Sequence, residues 1–453
     1  MFDVLIKNGK IVTADSISEG SIAIKDGKIA AVLEAGVELE ANKVIDAKGN
    51  YVFPGAIDTH AHLNDPGFEW REDYEHGTAA AALGGYTTVI DMPLQNDPCL
   101  TNADAFDFKE NKVSPNAYVD YCFWGGLTSY NFDDLKDLDE KGCVSFKSFI
   151  GPVSPDYESL NYGQALEAMD IIKQFDGRAG FHCEDYAIIK NQEKRMKEAG
   201  RNDWKAFLES RPVVAEIVAT DAIIEIAKAT GCKAHICHVS HPAVAKKIKA
   251  AQDEGYDITA ETCTHYLTFS ADDVIEKGPL YKCAPVLQPK ECVEEMWEYV
   301  KAGVFSGIAS DHSPCSYDEN LGKKIETVFD VWGGCSGIQS GFQAAFSEGV
   351  VKRGVCPTVL ANAMSVKPAK AFGIYGKKGD IKPGFDADLL IVDPKKEWEI
   401  TSDSLLYVNK ISAFVGLKGT GLPVLTMVRG NVVAEDGKIV GEKGCGELVK
   451  KLK

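Results

Sequence analysis

GAIDTHAHLNDPG, Gly55–Gly67, carries a short apolar run into two histidines one residue apart, His60 and His62. On a helix, residues two apart do not face each other, so the pair reads as a strand end where the chain turns and both imidazoles gain a similar outlook. Short β-rich runs recur beyond it: YTTVIDM (86–92), YVDYCFW (118–124), CVSFKSF (143–149), AGFHCED (179–185), KAHICHV (233–239), DITAETC (257–263) and SGIASDH (306–312). Helical stretches separate several of them. NYGQALEAMDIIKQF (161–175) repeats apolar residues at three- and four-residue steps, and RPVVAEIVATDAIIEIAKATG (211–231) does so for longer, stopping at Gly231. HPAVAKKIKAAQDEG (241–255) places Pro242 where a first helical turn accepts it. Strands alternating with helices predict an α/β protein, a closed (β/α)8 TIM-like barrel, with an open α/β sheet as the rival arrangement.

Both flanks of this region are β-rich. FDVLIKNGKIV (2–12) and GSIAIKDGKIAAV (20–32) are interrupted by Asn-Gly and Asp-Gly, and DADLLIVDP (386–394) and LTMVRGNVVAEDGKIV (425–440) use the same vocabulary. The pattern is compatible with two separate domains or with one domain assembled from both ends. At 453 residues the chain exceeds what one hydrophobic core usually supports. A net charge of -18 argues against nucleic acid and anionic membranes as partners, while leaving room for a small ligand at a local site. The opening MFDVLIKNGK lacks the features of a secretory signal, no apolar run is long enough for a bilayer, and 13 cysteines without framework spacing suit a reducing compartment. A cytoplasmic location is expected. Cys183 and Cys237, beside histidines in FHCED and HICH, raise a mixed Cys/His metal reading; strand alternation instead directs them toward packing.

Six polar residues stand near the same ends of their strands: His60, His62, Lys147, His182, His238 and Asp311. In a barrel that places them around one mouth, and buried polar groups there require partners or a metal. Imidazoles and a carboxylate suit Zn²⁺, Mn²⁺ or Co²⁺. One metal on His60, His62 and Asp311 would leave His182 and His238 other duties. A second metal on those two histidines would lack a shared carboxylate, which cations about 3.5–4 Å apart need against their repulsion. Lys147 becomes intelligible as a ligand if its amine has been converted to a carbamate.

The ordered set of HxH, FKSF, FHCED, ICHVS and ASDHSP resembles the cyclic amidohydrolase branch of the amidohydrolase superfamily across almost the whole chain. The resemblance implies a (β/α)8 barrel at 54–378 and a composite β-sandwich from 1–53 and 379–453. It implies two divalent metals, Zn²⁺ first: one on His60, His62 and Asp311, one on His182 and His238, bridged by carbamylated Lys147. It further implies a homotetramer and hydrolysis of a cyclic ureide by a metal-bridging hydroxide, with Asp311 moving the proton.

Departures within the branch narrow the substrate. Dihydroorotases carry arginine two residues after the second histidine; this chain has Asn64, counted among the substrate-side residues. Hydantoinases carry a tyrosine soon after the lysine; FKSFIGPVSPDY reaches one only at Tyr157, which is not assigned that role. DMPLQNDP, GGLTSYN, ASDHSPC and VWGGCSGIQ resemble allantoinase segments more closely. Gly333 and Gly334 allow a tight loop near the ligand, and Ser313 and Cys283 also resemble residues at the substrate pocket, with backbone groups reading an amide or ureido edge. The expected reaction is opening of the hydantoin ring of allantoin to allantoate. The alternatives are a hydantoinase or dihydropyrimidinase acting on other cyclic ureides, and a catalytically inactive assembly homologue.

Overall fold

The computed structural model describes residues 1–37, 39–151, 153, 157–322 and 326–452. Each of the eight central β-rich runs forms a strand: β6 (Ala56–Ala61), β7 (Tyr86–Asp91), β8 (Asp120–Gly126), β9 (Ser145–Phe149), β10 (Arg178–His182), β11 (Lys233–Ile236), β12 (Ile258–Cys263) and β13 (Gly307–Ala309). β1 (Phe2–Val12), β2 (Ile17–Lys25), β3 (Lys28–Glu34), β4 (Ala41–Asp46) and β5 (Tyr51–Pro54) precede them, and β14 (Leu389–Glu399), β15 (Lys418–Val428), β16 (Asn431–Glu435) and β17 (Lys438–Ile439) follow.

β6 to β13 pair in chain order as an eight-stranded parallel sheet. The ring closes between its first and last strands. His62 N donates to His312 O at 2.8 Å, Ala61 bridges His312, and Ser310 N donates to Asp58 Oδ1 at 3.0 Å. β6 through β10 are buried at every position, as expected for strands covered on both faces. The outer helices form where periodicity predicts them. Asn161 and Gln164 make a capping box for Tyr162–Lys173, Gly231 in the left-handed region ends Val213–Thr230, and Pro242 opens Pro242–Asp253. Ala215, Ala219, Ile223 and Ala227 place a buried stripe along the longest of these.

Two strands end earlier than their sequences suggest. β11 stops before His238 and β13 before Asp311, because those residues adopt φ of 37° and 42° and turn the chain out of the ladder. Non-glycine residues seldom occupy that region without surrounding constraint, and it re-aims both side chains toward the barrel mouth.

The flanks form one nine-stranded mixed sheet, in which antiparallel pairing of Leu389–Val392 with Tyr51–Pro54 joins the two chain ends. Val4 and Ile6 of β1 share a core with Leu425 and Met427 of β15, so distant strands of this sheet close over a common interior. Asp26-Gly27 makes the expected hairpin turn, whereas Asn8-Gly9 is a bulge within β1. The bulge lets β1 exchange neighbours, from β4 up to Lys7 to β5 from Lys10. A Cβ on Gly9 would stand 2.6 Å from Val52 Cγ2, so the crossover needs glycine. Among the described residues no helix is long and apolar enough to cross a membrane.

Barrel and sheet meet at a buried ion cluster. Lys378 Nζ contacts Asp120 at the start of β8 and lies 3.0 Å from Asp386 Oδ2 and 2.8 Å from Asp388 Oδ2. Burial opposes the ammonium, but these carboxylates outweigh it and raise its pKa. Replacing Lys378 by Met should leave uncompensated buried carboxylates and lower stability by about 3–5 kcal/mol. Urea unfolding checks this: a loss below about 1 kcal/mol, the level of an exposed pair, would mean that the cluster does not bind the layers together.

Candidate metal centre

The strand ends bring the sequence-predicted ligands together. His60 is held inside β6 and His62 just beyond it, and both face Asp311. His60 Nε2 lies 3.3 Å and His62 Nε2 3.6 Å from Asp311 Oδ1, with all three residues buried. Across the mouth, His182 Nδ1 is 3.1 Å from His238 Nε2. The His60 ring also stands 5.2 Å from the His238 ring, which makes the two halves neighbours. Lys147 lies between them in chain order, two residues inside the end of β9 rather than at its terminus. Its Nζ is fully buried and has no hydrogen-bond partner among the described residues; a contact over the Phe149 ring at 5.0 Å is what it has instead.

Carboxylates behind the rings select their tautomers. Glu261 on β12 accepts from His60 Nδ1 at 2.5 Å, is also held by Thr59, and leaves Nε2 to face Asp311. Glu184 lies 2.9 Å from His182 Nε2 and is paired with Arg211, leaving Nδ1 to face His238. Burial, with the Lys147 charge, pushes His60 down to about 4, and burial also lowers His182 and, more strongly, His238. Neutral rings with free lone pairs are the form in which imidazole binds metal. Burial would raise the Asp311 carboxyl, but His60, His62 and His238 outweigh it and hold it well below the usual range. Unpaired donors, imidazoles and a carboxylate crowded into one buried site suit divalent cations. Ligand atoms of His60, His62 and Asp311 lie within 4.8 Å of one another, close enough to share an ion.

Residues 51–433 match the amidohydrolase family. The chain belongs to that family. It is 38% identical to an allantoinase of Rubrobacter xylanophilus over 442 residues, covering 97% of this chain and 96% of the other. An Escherichia coli allantoinase is 36% identical over 451 residues, 98% of each chain. Among solved structures, the L-hydantoinase (dihydropyrimidinase) of Arthrobacter aurescens superposes with a TM-score of 0.97 at 34% identity, covering 100% of both chains. A D-hydantoinase (dihydropyrimidinase) of Thermus sp. gives 0.92 at 27% identity over 99% of each. Within the amidohydrolases the chain is therefore an allantoinase-like member of the hydantoinase/dihydropyrimidinase branch.

The amidohydrolase centre floors a cavity of about 380 Å³. Cys283, Ser313 and Gly333 line it, whereas Asn64 and Gly334 are not among its described lining. Asn64 is buried with φ of 56°, and neither amide atom has a partner among the described residues. Gly334 instead packs under Ser313, where a Cβ would lie 2.7 Å from the Ser313 carbonyl oxygen. The expected backbone readout at Ser313 is not free. Its N–H donates to Cys335 O at 3.0 Å and its carbonyl accepts from Trp332 Nε1 at 3.1 Å, which leaves the hydroxyl as its uncommitted group. Tyr157 lies outside this lining; its hydroxyl donates to Lys147 O at 2.6 Å and braces the strand.

Sequence reasoning missed Gln95, Arg211, Lys282 and Trp332 in the lining, and Glu261 and Glu184 behind the ligands. Glu261 had a legible signal, since an acid inside a buried strand needs a partner. Gln95 and Trp332 lay inside the segments DMPLQNDP and VWGGCSGIQ without being singled out, whereas Arg211 and Lys282 had no such signal, because they lie on loops that only the fold brings together. Of the two adjacent cysteines, Cys183 enters the hydrophobic core as expected, but Cys237 does not. Its sulfur lies within 4.8 Å of ligand atoms of His60 and Glu261, because the chain has already left β11 and the alternation no longer holds.

Glu261→Gln keeps the size of the His60 partner and removes its charge. It should lower metal affinity by about 10–100-fold while the fold is retained. Competition titration with a chelating dye, alongside circular dichroism, measures both; unchanged affinity would remove Glu261 from the site.

Proposed function

We propose that this protein hydrolyses the cyclic amide bond of allantoin to give allantoate. The observation that carries the reading is the meeting of His60, His62, His182, His238 and Asp311 with the orphaned, buried Lys147 Nζ on one cavity floor. An ammonium left unpaired at that depth is costly, whereas a carbamate on Nζ would provide two acceptor oxygens between the histidine pairs. The donors fit two divalent cations, Zn²⁺ first, on His60, His62 and Asp311 and on His182 and His238, with modified Lys147 shared. Bound there, the cations would supply Lewis acidity, polarising a ring carbonyl and making a water acidic.

The chain's own groups do the rest. Asp311, ionised beside the imidazoles, accepts the proton of the attacking water and returns it to the departing ring nitrogen. Glu261 and Glu184 keep His60 and His182 in one orientation throughout, so little reorganisation accompanies the step. Arg211, Gln95 and the Ser313 hydroxyl offer polar contacts along the wall for a ureido arm, and Trp332 and Phe149 exclude water from the ring. The lining includes no tyrosine among the described residues, which supports allantoin over the hydantoins that a tyrosine-bearing site handles. The allantoinases matched over almost the whole chain support the same choice. A hydantoinase is the second reading, favoured by the TM-score of 0.97 to an L-hydantoinase.

Lys147→Ala should lose most bound metal and most activity, with partial return of both when a small carboxylic acid is added. Elemental analysis and assay follow this directly. Full metal content in the variant would exclude Lys147 as a bridging ligand.

Substrate choice is tested on metal-replete protein with allantoin, hydantoin, dihydrouracil and dihydroorotate, identifying the ring-opened products. kcat/KM for allantoin should exceed the others by at least about a hundredfold, because buried polar groups left unpaired by a substrate lacking the arm are penalised. Equal turnover of hydantoin would replace the allantoinase reading with the hydantoinase one.

A further inference from the structure

Trp332 walls the cavity, and a group outside the cavity holds it there. Arg71 is not among the described lining, yet its guanidinium carbon stands 4.2 Å from the centroid of the Trp332 ring. The same carbon lies 4.7 Å from the Trp70 ring and 5.2 Å from the Phe68 ring, so three aromatic rings lie around one cation. At such distances a cation is attracted to the electron-rich face of a ring. Glu319 sets the orientation of the guanidinium: Arg71 Nε donates to Oε1 at 3.0 Å and to Oε2 at 3.1 Å, and Nη2 donates to Oε1 as well. Glu319 is fixed in turn, because its carboxylate caps the short helix Tyr317–Leu321 by accepting from Ser316 N at 2.9 Å. The Trp332 N–H donates to the Glu319 carbonyl at 3.0 Å, and its indole Nε1 donates to Ser313 O at 3.1 Å. On the other side, Asn409 Nδ2 donates to the Trp70 and Arg71 carbonyls, each at 2.9 Å, and holds the backbone from which Arg71 projects.

We propose that Arg71 is a positioning residue: braced on Glu319, it keeps the Trp332 indole a rigid wall of the cavity and so sets substrate affinity without touching substrate. Hydrogen bonds at Trp332 N and Nε1 restrain two points of that residue, and the stacked guanidinium restrains the face of its ring. Arginine suits this task where lysine does not, since a planar fork can pair with a carboxylate along its edge and lie on a ring with its face. The Arg71 and Glu319 side chains are only 12% and 24% exposed, so salt screens their pairing less than that of a surface pair. A wall already in place when substrate arrives saves the cost of ordering it on binding. Its loss therefore falls on binding and spares the chemical step, which the residues of the cavity floor carry. The inference rests on the reading of this cavity as the substrate cavity, and is indifferent to which cyclic ureide enters it.

Steady-state kinetics on metal-replete protein, with whichever substrate the panel identifies, test this together with acrylamide quenching of tryptophan fluorescence. Arg71→Ala should raise KM by about tenfold with kcat within about twofold and bound metal unchanged, the signature of lost uniform binding. Arg71→Lys should fall between that variant and the parent, because it keeps the cation and loses the fork. Adding Arg71→Ala to Trp332→Ala should raise KM no further, since the arginine acts through the indole. Quenching of Trp332, isolated by subtracting the Trp332→Phe counterpart of each protein, should increase in Arg71→Ala and increase less in Arg71→Lys. If Arg71→Ala does not fold, the cycle and the quenching are read on Arg71→Lys. Quenching needs no turnover, so it separates failure of this role from failure of the allantoin reading. Additive effects on KM overturn the proposal, as does a fall in kcat with KM unchanged, or Trp332 quenching that matches the parent in both Arg71 variants.

Discussion

Closure of the parallel ladder between β6 and β13 is the constraint on which the site depends. Ser310 reaches Asp58 across 252 residues of chain, and the seam it forms sets Asp311 against His60 and His62. An open sheet would leave those residues on opposite edges, with no shared floor. The seam is polar: Asp58, fully buried, accepts from Ser310 N and Oγ, and burial pushes its carboxyl up to about 7. Desolvation therefore works against this carboxylate, and the hydrogen bonds from Ser310 and the His60 N–H offset it only in part.

From the seam outward the site is held in tiers. His60 and His182 present one nitrogen to the mouth because Glu261 and Glu184 hold the other, and Glu184 is in turn held by Arg211. His238 and Asp311 reach the mouth by leaving their strands through the left-handed region. That conformation persists only where packing overrides the local preference, as it does around functional sites. Among the described residues, none of the flanking sheet enters this lining. The sheet is joined to the barrel through Lys378, Asp120, Asp386 and Asp388, a buried cluster whose value depends on every member being paired.

The cavity wall differs in kind from its floor. Lys282 Nζ is occupied by the carbonyls of Val328, Phe329 and Val331 at 2.9, 3.1 and 2.6 Å, so it organises the loop that carries Trp332. Burial pulls its amine down to about 7, which sets it apart from a freely charged surface lysine. Arg211, by contrast, both backs His182 through Glu184 and faces the cavity, linking the histidine cluster to the cavity wall.

Several features were determined by the sequence alone, because they rest on short-range pattern. Strand and helix positions, the Asn161 and Pro242 helix starts, and the Gly231 stop follow from periodicity and capping within a few residues. The ordered polar residues at strand ends pointed to the side chains that meet at the candidate metal centre, since a barrel gathers the ends of all its strands at one face. Tertiary structure decided what depends on where distant segments meet. Asn8-Gly9 became a bulge instead of a turn because β1 has two partners to reach on one side. Asn64 and Gly334 fell outside the cavity lining while Arg211 and Lys282 entered it, because loop paths are set by packing rather than by local preference. Cys237 turned toward His60 and Glu261 because strand alternation ends where the strand does. Pattern reports which face of an element is buried; the identity of the group lying against that face is a long-range property, and only the closed fold supplies it.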